Sequence, residues 1–344
     1  MTITNALDRE PAQQTVPGTA GARLPCRPQD ALLSNMELPL RGMFYPLGYP
    51  VEIITNDAAV LDGANDSFGH IRASRSNAIL QIRIGVSGEG GPDCPPEPTR
   101  REHNHLFSIV ADVNNQALLD FSTCANFTWL TRAAVSNMLY LRYNFLEKVV
   151  YLLLGGSVVT DLHAACVGKN GKGILLCGDS GAGKSTLAYA CARAGWTYTS
   201  DDTSYLINDS DPPRVIGHSH RARFRPSAKL LFPELEHHAL TPRLEGKPSI
   251  EVPISELPVS SAATEATVDS IVYLNRSSSA ETRLVRLPKG TATQRARREL
   301  YSAGDIRARH ESILEVLSDI PTYELQYCDL HQGEQTLGLL TRSE

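Results

Sequence analysis

Residues 174–185 contain the side chains best suited to phosphate chemistry. Their letters, ILLCGDSGAGKS, match the pattern G-x-x-x-x-G-K-[ST], with Gly178, Gly183, Lys184 and Ser185 at the fixed positions. A loop of this kind binds phosphate through successive backbone N–H groups and through the N-terminus of the helix that follows it. Lys184 is predicted to reach the β- and γ-phosphates of a nucleotide, and the Ser185 hydroxyl is predicted to hold Mg²⁺.

The sequence on both sides of this loop supports the same interpretation. Residues 173–177 are typical of a buried strand, and residues 185–194 have apolar residues at helical spacing before Gly195, a natural helix stop. A glycine-rich turn that matches the pattern by chance is the alternative, and the two flanks disfavour it. The predicted nucleotide contacts in this loop are Gly178, Asp179, Ser180, Gly181, Ala182, Gly183, Lys184, Ser185 and Thr186.

A pair of carboxylates, Asp201 and Asp202, follows a predicted strand at residues 196–200. Neighbouring side chains on an extended backbone point to opposite sides, so one can face Mg²⁺ while the other faces an incoming acceptor. Phosphoryl transfer depends mainly on positioning and charge neutralisation, and it needs a group that takes the proton of the acceptor. A turn or a helix N-cap is the alternative role for such a pair.

The overall composition is that of a globular protein. The chain has 344 residues, 42% of them apolar, and a net charge of −5, which disfavours nucleic acid and anionic membranes as partners. Its seven cysteines include no C-x-x-C pair, so neither a disulfide framework nor a zinc site is indicated. The longest uncharged apolar run, residues 149–159, is shorter than the roughly 20 residues of a membrane helix, and no signal peptide is visible. We therefore expect a soluble, cytoplasmic protein.

The pattern of elements predicts an α/β protein in three parts. Residues 1–40 are rich in proline and glycine and are expected to be a mobile tail, residues 41–157 a smaller α/β domain of unknown role, and residues 158–344 the nucleotide-binding domain. The elements expected in the middle part are strands at 51–55 and 78–85, helices at 58–68 and 132–154, a surface loop at 87–102, and a hairpin formed by 105–112 and 116–121. A strand at 161–167, a turn at 169–172, the phosphate loop and its helix then form the expected α/β core.

Three motifs and their spacing resemble those of the bacterial HPr kinase/phosphorylases, which share the phosphoenolpyruvate carboxykinase type of nucleotide-binding fold. That family carries L-H on a strand, then G-D-S-G-x-G-K-S, then a strand that ends in D-D. Here the corresponding residues are Leu162-His163, residues 178–185 and Asp201-Asp202. The histidine precedes the loop by 15 residues (178 − 163), and the first aspartate follows the loop by 16 (201 − 185).

The resemblance implies a carboxykinase-like phosphate-loop domain and a role for each matching residue. His163 would lie near the transferred phosphate, Asp201 would accept the proton of the acceptor hydroxyl, and Asp202 with Ser185 would hold the metal. The implied activity is that of a kinase that uses ATP and Mg²⁺ and phosphorylates a hydroxyl acceptor, either a protein serine or a small hydroxylated metabolite. The sequence leaves the oligomeric state open, with a homo-oligomer among the options.

Two basic segments lie where an acceptor would dock. On an extended chain Arg221, Arg223 and Arg225 share one face, which suits a phosphate or an acidic partner but also suits a solvated edge strand. By analogy with the carboxykinase-like fold, a turn at Gly246 would bring Lys247 or Arg243 over the nucleotide.

Other functions of a nucleotide site remain open at this point. The arginine- and glycine-rich signature that follows the second acidic segment in the HPr kinase family is not found here. One alternative is a nucleotide-gated sensor or scaffold, and another is a simple NTPase with water as the acceptor. The kinase hypothesis requires Asp201 to face a pocket beside the phosphate, whereas the sensor hypothesis predicts that this pocket is blocked or that the carboxylate is turned away.

Overall fold

A computed structural model describes residues 36–76, 80–88, 91, 93–241, 248–276, 281–300 and 304–342. The first 35 residues of the predicted tail lie outside this part of the chain. Arg243 and Lys247, predicted to lie near the nucleotide, are also outside the described residues, as is the start of the strand expected at 78–85.

The first sheet is built from the N-terminal part of the described chain. Its strands are β1 (Leu40–Phe44), β2 (Val51–Thr55), β3 (Leu80–Ser87), β4 (Thr99–His103), β5 (Leu106–Asp112), β6 (Asn115–Asp120) and β7 (Ala125–Thr131), in the spatial order β1-β2-β3-β7-β6-β5-β4. Strands β2, β3 and β7 run parallel, and the remaining pairs are antiparallel. The predicted strand at 51–55 and the predicted hairpin are confirmed, whereas the predicted loop at 87–102 contains the start of β4.

Helices connect and cover this sheet. They are α1 (Ala58–Phe68), α2 (Arg132–Ser136), α3 (Met138–Tyr140), a π-helical turn (Leu141–Leu146) and α4 (Glu147–Gly155). Helix α1 has the predicted bounds and begins where the Asp57 carboxylate accepts a hydrogen bond from the Ala59 N–H at 3.0 Å, an N-cap. The long helix expected at 132–154 is present as a nearly continuous run, broken at Asn137 and widened by the π-helical turn.

The rest of the described chain forms a second sheet, a third sheet and a two-stranded pair. The strands are β8 (Val159–Leu162), β9 (Ala164–Lys169), β10 (Lys172–Cys177), β11 (Thr197–Ser200), β12 (Ser204–Ile207), β13 (Arg214–Gly217), β14 (Arg221–Phe224), β15 (Ile250–Pro253), β16 (Ser261–Ala262), β17 (Glu265–Thr267), β18 (Ser270–Arg276), β19 (Arg283–Arg286) and β20 (Thr322–Tyr327). The helices are α5 (Lys184–Arg193), α6 (Thr291–Glu299), α7 (Gly304–Ile313) and α8 (Leu330–Leu337).

The second sheet delivers the phosphate loop from its centre. Its strand order is β16-β11-β9-β10-β18-β20-β19, so β10 lies between antiparallel β9 and parallel β18. The side chains of β10 alternate between two cores. Ile174 and Leu176 pack against Leu187 of α5, while Leu175 packs against Leu314 on the other face. A strand buried on both faces between helical layers is the usual setting of a ligand site at a strand's carboxyl end.

Two chain segments pass side by side between the second sheet and the third. The third sheet has the order β17-β13-β12-β8. Strands β9 and β11 pair in the second sheet, with Cys166 opposite Ser200, and β8 and β12 pair in the third, with Leu162 opposite Ser204. The single strand predicted at 161–167 is therefore wrong, because the chain bends at His163 to change sheets.

The hydrophobic core of the first sheet extends past residue 158. Leu38–Glu344 forms one compact unit, and Val159, Tyr205 and Ile207 of the third sheet belong to the same cluster of buried residues as Ile53 of β2. The domain boundary at residue 158 stays a prediction. Within the described ranges, no helix combines the length and the apolar character needed to cross a membrane.

Close packing of β10 generates a stability prediction. A methyl group at Gly173 would overlap the backbone oxygen of Thr267, so Gly173→Ala is expected to lower the free energy of unfolding by about 2 kcal/mol. At Gly155 an added Cβ meets nothing within 4 Å, so Gly155→Ala is the matched control and should be neutral or stabilising. Urea unfolding of both variants measures the difference, and equal stabilities would contradict the tight approach at Gly173.

Candidate functional site

The loop between β10 and α5 has the backbone conformation of a phosphate cradle. Gly178, Gly181 and Gly183 have φ values of 146°, 94° and 99°, in the region that favours glycine. At Gly183 a Cβ would lie 2.9 Å from the Tyr327 hydroxyl, so space as well as conformation requires glycine there. Successive N–H groups in such a loop and at the start of a helix form an anion-binding concavity.

The outer part of the loop is open to solvent. Asp179, Ser180 and Gly181 are exposed, whereas Ala182 and Thr186 are half-buried. The loop is closed by a hydrogen bond of 3.0 Å from the Ala182 N–H to the Asp179 oxygen. Apart from the buried Lys184, the predicted nucleotide contacts are therefore exposed or half-buried at the end of β10.

Lys184 is the buried residue of this loop. Its Nζ donates to the backbone oxygens of Gly178 at 2.6 Å and Asp179 at 3.4 Å, and it lies 3.0 Å from Nε2 of His163. Burial lowers the pKa of Lys184, partly offset by the Asp202 charge. Because an ammonium only donates, His163 must accept through Nε2 and carry its proton on Nδ1.

His163 connects the loop lysine to the carboxylate pair. Its Nδ1 lies 3.5 Å from the Asp202 Oδ1, and both side chains are roughly half exposed. These residues occupy the two bends where the chain passes between the second and third sheets. They are therefore close in space although 39 residues separate them in the sequence (202 − 163). The result is a row of polar groups from Lys184 through His163 to Asp202.

Ser185 lies beside the same bend. Its hydroxyl donates to the backbone oxygen of Asp201 at 3.0 Å, which places it next to the Asp201-Asp202 segment. Ser185 is therefore beside the segment that carries Asp202, the second residue predicted to hold the metal. Within the part of the chain that the structure describes, no group of three or more His, Cys, Asp or Glu side chains has the arrangement of a metal site. The donor set present, one hydroxyl and one carboxylate oxygen, fits a cation that takes its other ligands from phosphate and water, as Mg²⁺ does.

Asp201 is buried, whereas Asp202 is half exposed. The Oδ2 of Asp201 accepts the backbone N–H of Arg223 in β14 at 2.6 Å. Burial raises the pKa of Asp201 to about 7, and the Asp202 charge adds to the increase while the Arg223 N–H opposes it. A carboxyl group poised near neutrality can exchange a proton under physiological conditions.

Both carboxylates line a polar cavity of about 250 Å³. One wall comes from α1, the π-helical turn and α4, and the opposite wall from β12, β14 and β15 and the segment between β13 and β14. The lining residues are Asp66, Ser67, His70, Arg142, Tyr143, Glu147, Tyr151, Asp201, Asp202, Thr203, Tyr205, His218, His220, Arg221, Ala222, Arg223 and Glu251. We call this space the acidic-pair cavity.

The structure brings most of the predicted site residues together. The phosphate loop, His163, Asp201 and Asp202 meet at the carboxyl end of β10, and the predicted alternation in β14 is confirmed: Ala222 and Phe224 are buried, while Arg221 and Arg223 both pair with Glu251. Arg225 lies just past the end of β14.

Sequence reasoning missed other residues at this site. Glu299, the last residue of α6, lines a small pocket with His163, and its pKa is raised by burial against the lowering effects of His163 and Lys184. Tyr143, Tyr151 and His70 come from the part of the chain whose role was left unassigned. No spacing rule links these residues to the loop, because they reach it only through the packing of separate sheets.

Comparisons with known proteins give distant structural similarity only. No protein-family model matches this sequence, and no curated protein does. Among solved structures, the chain is similar to the HPr(Ser) kinase/phosphatase from Coxiella burnetii, with a TM-score of 0.31 and 12% sequence identity. The similarity covers 52% of this chain and 89% of that chain.

The raised pKa of Asp201 predicts a pH-dependent stability. The folded-state pKa of about 7 exceeds the ordinary value of 3.8, so between these values the folded protein holds a proton that the unfolded chain releases. This contribution to the free energy of unfolding is greatest near pH 4 and is lost as pH rises through about 7. Asp201→Asn lacks it, so the stability of wild type relative to the variant should fall between pH 4 and 7 and then level off. Urea unfolding of both proteins across this pH range is the test. If their free energies of unfolding change with pH in parallel, Asp201 has an ordinary pKa.

Proposed function

We propose that this protein is a magnesium-dependent kinase that transfers the γ-phosphoryl group of ATP to a hydroxyl acceptor, through a carboxykinase-like phosphate-loop site. In this proposal the loop backbone, Lys184 and Thr186 bind the phosphates of ATP. Ser185 and Asp202 hold Mg²⁺, which neutralises phosphate charge when bound. His163 lies near the transferred group, where its Nε2 accepts from Lys184 and its Nδ1 faces Asp202, so it holds both side chains in position.

Asp201 is assigned the role of general base. The acceptor oxygen forms a bond to the γ-phosphorus while the bond from that phosphorus to the bridging oxygen breaks, and ADP leaves with the electron pair. The hydroxyl proton passes to Asp201, whose raised pKa suits a base at neutral pH. Its hydrogen bond from the Arg223 N–H fixes the orientation of the carboxylate.

One observation carries the proposal. The neighbouring carboxylates Asp201 and Asp202 both line the acidic-pair cavity, and Asp202 also contacts His163, which contacts the loop lysine. A polar cavity thus adjoins the phosphate loop through two carboxylates with different environments. The nucleotide-gated sensor requires this space to be blocked or Asp201 turned away from it, and the cavity favours the kinase over that alternative.

Loss of the loop lysine tests nucleotide binding. Lys184→Ala removes the only side-chain ammonium that the described loop residues supply, and ATP affinity or turnover is expected to fall by about 100-fold. Lys172→Ala is the matched control, because Lys172 lies at the far end of β10, where its Nζ bonds the Arg342 oxygen. Calorimetric titration with Mg²⁺ and ATP measures the affinity of both variants, and a turnover assay measures their activity. Unchanged affinity and turnover in Lys184→Ala would exclude the phosphate-loop site.

Loss of the base tests phosphoryl transfer. Asp201→Asn should bind ATP with affinity within about twofold of wild type while its transfer rate falls by about 10² to 10⁴. The wild-type rate should rise with pH through about 7 as Asp201 loses its proton, and the residual rate of the variant should not. The exposed Asp209→Asn substitution is the control. Unchanged transfer in Asp201→Asn, measured with γ-labelled ATP and the cell's own extract, would remove the proposed base.

A further inference from the structure

The acidic-pair cavity contains uncharged polar groups that the protein leaves without hydrogen-bond partners. They are the hydroxyls of Tyr143, Tyr151 and Tyr205 and the ring nitrogens of His70, His218 and His220. Among the described residues, none donates to or accepts from these side-chain atoms. Tyr205 is only 8% exposed. Tyr143, Tyr151 and His218 are half-buried, and His70 and His220 are exposed. Polar groups that face an open cavity are available to hydrogen-bond water or a ligand that replaces it.

Ring packing holds these groups in fixed positions. His70 and His220 lie with ring centroids 4.1 Å apart, and Tyr151 stacks on Tyr205 at 5.8 Å. His218 packs edge-on against both tyrosines, at 5.4 Å and 5.7 Å. The donors and acceptors are therefore preorganised, which lowers the entropic cost of binding a ligand.

Among the described lining residues, every arginine has a carboxylate partner. The cavity's three arginines are engaged: Arg142 with Glu147 at 3.2 Å, and Arg221 and Arg223 with Glu251 at 3.4 Å and 3.1 Å. The lining contains five carboxyl groups against these three guanidinium groups. A phosphorylated or carboxylated acceptor would therefore meet a surplus of negative charge.

The histidines do not supply positive charge either. Burial, with the nearby Arg223 and His70 adding to it, lowers the pKa of His218 to about 4. Burial also lowers the pKa of His220 to about 3, with His70 and His218 contributing. At neutral pH both rings are uncharged, so each has one donor and one acceptor nitrogen. Tyrosine hydroxyls also donate and accept, and the ligand groups that match such a surface are alcohol hydroxyls.

We infer that the acceptor is a small uncharged polyhydroxyl compound, a sugar or polyol, bound in the acidic-pair cavity among Tyr143, Tyr151, Tyr205 and the three histidines. This inference rests on the proposed kinase function and names its acceptor. One ligand hydroxyl is phosphorylated beside Asp201, which takes its proton while ADP leaves, and the others bond to the tyrosines and histidines. The cavity volume of about 250 Å³ suits a small molecule.

The acceptor class is tested by separating candidate acceptors by charge before the reaction. A lysate of the producing cell is divided into a protein pool and a low-mass fraction, and the latter is passed through anion and cation exchangers to give ionic pools and a neutral pool. Each pool is incubated with the full chain, Mg²⁺ and γ-labelled ATP. Label should enter a product from the neutral pool, and periodate treatment of that pool, which cleaves neighbouring hydroxyl groups, should abolish the labelling.

Variants of the cavity tyrosines connect that acceptor to this surface. Tyr151→Phe and Tyr205→Phe should each raise the KM for the neutral pool's acceptor by about tenfold, because each removes one hydrogen bond to it. The KM for ATP should stay unchanged. Tyr323→Phe is the matched control, since Tyr323 lies on β20 against Arg286, outside the cavity. An unchanged acceptor KM in both cavity variants would overturn the assignment.

The outcomes separate this inference from the function on which it rests. Label that enters only protein or an ionic pool overturns the polyhydroxyl acceptor and leaves the kinase intact. Label from the neutral pool that survives periodate treatment also overturns the polyhydroxyl class. Absence of label from every pool, with no more phosphate release than Lys184→Ala, overturns the kinase and the acceptor together.

Discussion

The passage of two paired chain segments from one sheet to another is the constraint on which the site depends. Backbone hydrogen bonds join β9 to β11 on one side of this passage and β8 to β12 on the other. The residues between them, His163 on one segment and residues 201–203 on the other, must therefore meet. Loss of either pairing would separate the His163 imidazole from the Asp202 carboxylate. Backbone hydrogen bonds between the paired strands therefore fix the polar side chains beside the phosphate loop.

The same bend gives two adjacent aspartates different chemistry. Asp201 accepts the Arg223 N–H, whereas Asp202 faces His163. Burial favours the protonated form of the Asp201 carboxyl group, while Asp202 is half exposed beside His163. The proposed roles of Asp201 as proton acceptor and Asp202 as metal ligand depend on this difference in environment.

The first sheet contributes a wall of the site as well as its own core. Helix α1 and the π-helical turn bring Ser67, Arg142 and Tyr143 to the cavity, where Arg142 bonds both Ser67 and Glu147. A π-helical turn widens the helix locally and is frequently found at functional sites, and here it presents two consecutive residues to the cavity. The N-terminal part of the described chain thus supplies one wall of the cavity beside Asp201 and Asp202.

The sequence by itself determined the local elements. The spacing of glycines with Lys184 and Ser185 identifies the loop, and the apolar periodicity fixes the flanking strand and helix, because these features depend on neighbours within a few residues. The bend at His163 and the cavity were decided by tertiary structure. Strand propensity cannot distinguish one strand of seven residues from two short strands in different sheets, since pairing with distant partners makes that choice. The cavity, likewise, joins residues as far apart as Asp66 and Glu251, which only the packing of separate sheets brings together.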